Sequence, residues 1–92
     1  MTSDIGKTKK EIANEIFSAL NPHFSALLGA TSGAAVQTAG ATVGKNLAEA
    51  CQTWFAKDDA SQLTGILLTA QVTGAISQAE LDSFMDAIAS AQ

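Results

Sequence analysis

The chain has 92 residues, nine of them acidic and five basic, for a net charge of −4 and a pI near 4.6. Every basic residue is lysine. There is thus neither the basic face that phosphate neutralisation needs nor an arginine to grip a phosphate bidentately, which argues against nucleic acid as a partner. A chain of this length reads as one helical domain, 1–92, with a modest core. Its 18 alanines, together with 24 Gly, Ser and Thr residues, predict helices that approach one another closely.

The opening "MTSDIGKTKKEI" has lysines but no apolar stretch after them, so no signal peptide is expected, and the single Cys51 has no internal disulfide partner. The expectation is synthesis in a reducing cytoplasm. "GKT" at Gly6 to Thr8 resembles the end of a phosphate loop, but position 1, where that motif needs a glycine, is Met1. Thr8 and Glu11 have capping-box spacing, predicting a helix with Ile12, Ile16, Ala19 and Leu20 on one face. Asn21-Pro22 ends that helix and, as N-cap and first helical residue, starts a short one bearing Phe24, Leu27 and Leu28. The uncharged run from Ile16 to Gly44 could span a bilayer by length. Pro22 and the scattered Asn, Gln, Ser and Thr argue against insertion, leaving reversible lipid contact as the membrane reading.

From Gly33 a long helix is predicted, with Gly33, Val36, Gly40, Val43, Leu47, Ala50 and Trp54 recurring at alternating spacings of three and four. Its start overlaps an eleven-residue near-repeat: "GATSGAAVQTA" at 29–39 is followed directly by "GATVGKNLAEA" at 40–50, each copy opening with a G-x-x-x-G pair. Eleven residues are close to three helical turns, so the repeat predicts a smooth packing face formed by Gly29, Gly33, Val36, Gly40, Val43, Gly44 and Leu47. Whether that face meets another helix of the same chain or a second copy is open. "KDDASQ" then breaks the helix, with Asp59 and Gln62 at capping spacing ahead of a helix that buries Leu63, Ile66, Leu67 and Ala70.

"GAISQAEL", Gly74 to Leu81, resembles the second half of an EF-hand calcium loop, with Gly74, Ile76 and Glu80 at its sixth, eighth and twelfth positions. The first, third and fifth positions hold Thr69, Gln71 and Thr73 where calcium requires carboxylates, so Glu80 stands alone. The octet is better read as a helix stop at Gly74 and a start at Ser77, with Glu80 at the third helical position and Ile76 stapled to Leu81. The last helix carries Leu81, Phe84, Met85 and Ile88. The fold expected is an all-α bundle of four main helices plus a short helical turn after Pro22.

His23 and Cys51 cannot make up a three- or four-ligand metal set, and no oxyanion loop or activating pattern flanks either, so no metal, cofactor or catalytic residue is assigned and the chain is expected not to be an enzyme. Trp54 and Phe55 point about 100° apart on a helix, so one of them is a candidate partner contact; the competing reading puts Trp54 in the seam and Phe55 under the "AKDD" turn. What remains is protein contact. A structural component of a virion-like or other particle, packing as a homo-oligomer through the Gly/Ala-rich face, is the first expectation. The alternative is an acidic inhibitor or adaptor that covers a basic site on a target through Asp58, Asp59, Asp82 and Asp86.

Overall fold

The computed structural model describes residues 7–91, and within them five α-helices and one 3₁₀ turn follow one another without a strand. Gly6 of the "GKT" tripeptide lies outside these residues. Helix α1, Lys9–Leu20, opens with the expected capping box: the Thr8 hydroxyl accepts from the Glu11 amide at 3.1 Å and the Glu11 carboxylate accepts from the Thr8 amide at 3.0 Å. Those bonds hold the Glu11 carboxyl below its ordinary range. Ile12, Ala13, Ile16 and Leu20 form its buried side.

At Asn21-Pro22 the chain tightens without a break. Asn21 has helical dihedrals and serves as the C-cap of α1, its amide donating to the Phe17 carbonyl, and not as an N-cap; Pro22 sits in a 3₁₀ turn, Asn21–His23, whose N-cap is Leu20. The expected Asn cap is thus corrected, because a tighter turn tolerates the missing proline N–H without the chain having to leave helical space. Helix α2, Phe24–Leu27, follows and buries Phe24, whereas Leu28 is 54% exposed rather than part of the packed face. It closes on Gly29 at φ +68°, with the Gly29 amide donating to the Ala26 carbonyl at 3.0 Å and the Ala30 amide to the Ser25 carbonyl at 3.1 Å. This is a Schellman closure, which needs a left-handed residue and so suits glycine.

Helix α3, Gly33–Lys57, is 25 residues long, about 37 Å at 1.5 Å per residue. Gly29 to Ser32 precede it, so the two copies of the repeat do not stack on one helix; only the second pair, Gly40 and Gly44, is helical at both ends. Burial begins at Ala39 and continues through Val43, Leu47, Ala50, Cys51 and Trp54. Gly33 and Val36 are exposed, and a Cβ placed on Gly40 would meet no atom within 4 Å. Within one chain the predicted face packs only along its second half. A Cβ at Gly44 would lie 3.4 Å from the Phe24 ring, which marks the site where α2 docks on α3.

Helix α4, Ser61–Val72, does not start with the expected Asp59–Gln62 box: its N-cap is Ala60, and Asp59 instead accepts from the Ser61 amide at 3.0 Å and its hydroxyl at 2.7 Å. Asp59 lies one residue too early to cap, so it forms a two-residue turn instead, and these bonds draw its carboxyl below the usual range. Leu63, Leu67 and Ala70 are fully buried, with Ile66 partly so. The α4–α5 junction matches the sequence reading. Gly74 has φ +85° and a second Schellman closure, the Ala75 amide reaching the Ala70 carbonyl at 2.8 Å. Ser77 and Glu80 form a capping box on α5, Gln78–Ser90, while Ile76 and Leu81 on either side of it are both buried in the core.

The core joins α1 to α5 around Trp54, Ile12, Ile16, Leu20, Leu47, Leu63 and Leu67, the largest fully buried side chains. The architecture is the all-α bundle of four main helices and a short helical turn. Because Gly40 has free space and Gly44 a ring beside it, substitutions one turn apart are expected to differ in sign. Gly40→Ala should stabilise by about 0.5–1 kcal/mol through helix propensity, and Gly44→Leu should cost about 1–3 kcal/mol by displacing Phe24. Thermal melting of dilute protein reads both; a Gly44→Leu variant that melts with the parent would mean that α2 does not dock where described.

Candidate functional site

At its charged end the molecule is locked by Lys9. The Lys9 ammonium lies 2.9 Å from the Asp58 carboxylate, 3.3 Å from the Trp54 carbonyl and 5.7 Å from the centre of the Trp54 ring. A cation at the last turn of α3 meets the negative dipole end of that helix and shares the Trp54 carbonyl with the Asp58 amide, so it ties α1 to the terminus of α3 and lies over the indole. Asp58 is held there in the left-handed region, φ 54°, and its side chain is 83% exposed. Trp54 is 1% exposed and therefore belongs to the core; its candidacy as a partner contact is corrected. Phe55 is not folded under the turn, being 43% exposed with its ring centre 5.9 Å from that of Trp54.

The remaining candidates fall in separate places. Cys51 is buried, and desolvation raises its thiol above the ordinary value, which suits a packing role and not a nucleophile. His23 is half-buried in the 3₁₀ turn. Among the described residues no three His, Cys, Asp or Glu side chains come together as a metal site would require. Asp82 and Asp86 are exposed one turn apart on α5, with Asp82 accepting from the Gln78 amide at 3.0 Å. Asp58 and Asp59 lie at the α3–α4 turn, so the four acids divide between two elements.

The other half of the molecule carries almost no charge. No Asp, Glu or Lys occurs from Ile16 to Gly44 or from Ala60 to Ala79, the segments that build α2, the first half of α3 and all of α4. Four of the exposed large apolar side chains lie here: Leu28, Val36, Leu68 and Val72, the last 82% exposed. Threonines line this half with their hydroxyls turned back onto helix carbonyls, Thr38 to Ala34 and Thr42 to Thr38 on α3, Thr69 to Gly65 and Thr73 to Thr69 on α4, at 2.9–3.1 Å. A donor already satisfied within its own helix can be covered without a desolvation penalty.

Two of the grooves among the described residues open on this half. The larger, about 470 Å³, runs between α2, α3 and α4, lined by Leu27, Leu28, Val43, Asn46, Glu49, Gln62, Gly65, Ile66 and Thr69. A shallower one lies beside Phe24, between the 3₁₀ turn and α2 on one side and Val36 to Ala41 on the other. Of the predicted packing face, Val43 reaches the first groove and Val36 and Gly40 the second; Leu47 is fully buried, and Gly29 stays in its turn. The outer side of α4 was not legible as a surface, since its periodicity points only to the core face. The available signal was the leftover pair Leu68 and Val72, which do not fit the Leu63, Ile66, Leu67, Ala70 stripe. No helix among the described residues is long and apolar enough to cross a membrane.

Compared with protein-family models, curated proteins and solved structures, the chain matches none.

The Lys9 contacts predict that Lys9→Met destabilises the fold by about 1–2 kcal/mol, from a charge-assisted carbonyl bond, a cation–π contact and a partly exposed ion pair. Lys10→Met, on the exposed side of α1, should stay within about 0.5 kcal/mol of the parent. Urea unfolding followed by Trp54 fluorescence measures both; equal midpoints for the two variants would remove the clamp from this account.

Proposed function

We propose that this chain is a non-catalytic helical contact protein, a small structural component that assembles with copies of itself, as in a virion-like or other particle, by covering its uncharged half. The observation that carries this reading is the exposure of Leu28, Val36, Leu68 and Val72 on the segments 16–44 and 60–79, which contain no Asp, Glu or Lys. Leu68 and Val72, one turn apart on α4, and Leu28 in the groove beside that helix give exposed apolar surface of the kind that marks contact sites on folded proteins. A chain of net charge −4 repels its own copies over most of its surface, and that repulsion is weakest where no charge is present. The open side of Gly33 and Gly40 gives a second helix room to approach α3 from outside.

A second reading, an acidic inhibitor or adaptor, draws support from Asp82 and Asp86. Like charges at i and i+4 weaken a helix by about 0.2–0.5 kcal/mol, and among the described residues neither takes part in an ion pair, so a basic partner would relieve both. Light scattering of purified protein at low and high salt separates the two. Self-assembly through apolar surface predicts a mass that is a multiple of 9.4 kDa and does not fall with salt. A monomer at every salt concentration would remove the assembly reading and leave the acidic one.

A further inference from the structure

We propose, as a deepening of the self-assembly reading, that the groove between α2, α3 and α4 seats a second copy of this chain. Each copy inserts the Leu68–Val72 ridge of its α4 into the groove of the other across a two-fold axis. Such an interface must carry both the projecting and the receiving parts on one patch of one chain. Here they adjoin: Leu68 and Val72, one turn apart and 46% and 82% exposed, each stand three residues beyond a groove-lining residue, Gly65 and Thr69. The groove offers them Leu27, Leu28, Val43 and Ile66, with Asn46, Glu49 and Gln62 as its polar lining.

The patch is ready to lose its water. The hydroxyls of Thr69 and Thr73 donate to the carbonyls of Gly65 and Thr69 at 3.0 and 2.9 Å, so neither would be buried unpaired. Gly65 has no atom within 4 Å of where a Cβ would stand, which lets another helix come close to the α4 backbone. Charge selects the occupant. An acidic or basic partner finds nothing of opposite sign along Ala60 to Ala79, whereas a second copy presents the same uncharged ridge. The one charge lining the groove is self-complementary with its neighbour: Glu49 stands one turn from exposed Lys45 on α3, and each would face the other kind across the axis. A standard interface needs about 800 Å² from each partner, roughly 15% of this chain's 5265 Å².

Sedimentation equilibrium of the full chain tests this. Val72→Glu alters a side chain almost free of the fold, so its melting temperature in dilute solution should match the parent, while the dimer dissociation constant should rise by about tenfold or more because a carboxylate would be buried unpaired. Val72→Lys serves as the second variant should the glutamate perturb α4. Val36→Glu, in the separate shallow groove, should leave the dimer intact. A parent that dimerises with an unchanged constant in both Val72 variants would overturn the seat while leaving self-assembly standing. A parent that remains a monomer at millimolar concentration would overturn the seat and the assembly reading together.

Discussion

A helix of 25 residues needs partners along about 37 Å, yet the helices available to α3 are only 12 and 13 residues long, about 18–20 Å each. The core therefore gathers at the second half of α3, where Val43, Leu47, Ala50 and Trp54 join one cluster with side chains of α1, α2, α4 and α5. The first half, from Gly33 to Thr38, is left exposed. That mismatch of lengths fixes where the charged and uncharged halves of the surface lie, because lysines and acids cluster on α1, the end of α3 and α5, around the filled end.

With so many alanines and so few large side chains, packing alone defines the helices weakly, and local devices carry much of the definition. Two capping boxes open α1 and α5, and two left-handed glycines close α2 and α4. Lys9 then fastens the end of α3, adding a second donor to the Trp54 carbonyl and lying over the indole. These devices concentrate at the filled end and in the turns. Nothing comparable covers the outer side of α4, a helix without a single charge.

The boxes at Thr8–Glu11 and Ser77–Glu80 were legible because they depend on residue type at fixed spacing, and the helix stop at Gly74 was legible for the same reason. Asp59–Gln62 had the same spacing and failed, since the chain had already turned at Asp58 and placed Asp59 one residue too early. The repeat misled in a related way. Identical letters at Gly29 and Gly40 serve a turn in one place and a helix in the other, and only the left-handed φ of Gly29 tells them apart. Periodicity located the inward faces of α1, α4 and α5 but said nothing of which part of the α3 seam would find a neighbour, which is decided by the lengths of other helices. Small buried residues such as Ala13, Ala39 and Ala87 carried no signal, alanine being everywhere in the chain. Of the candidate site, the acids lie on the surface, Trp54 completes the seam as one of the two readings had it, Phe55 is exposed and not packed under the turn, and the groove beside α4 had no sequence signature.

The proposed assembly follows from the uncharged outer side of α4: Leu68 and Val72, left exposed beside the groove between α2, α3 and α4, are available to a copy of the chain. Hydrogen exchange of backbone amides as a function of protein concentration addresses this most directly, because exchange slows where association suppresses local opening. The account predicts that amides of 65–73 in α4, and with further assembly those of the first turns of α3, become protected as concentration rises, while those of 12–20 in α1 are unaffected. Exchange rates in α4 that stay the same from micromolar to millimolar protein would contradict it.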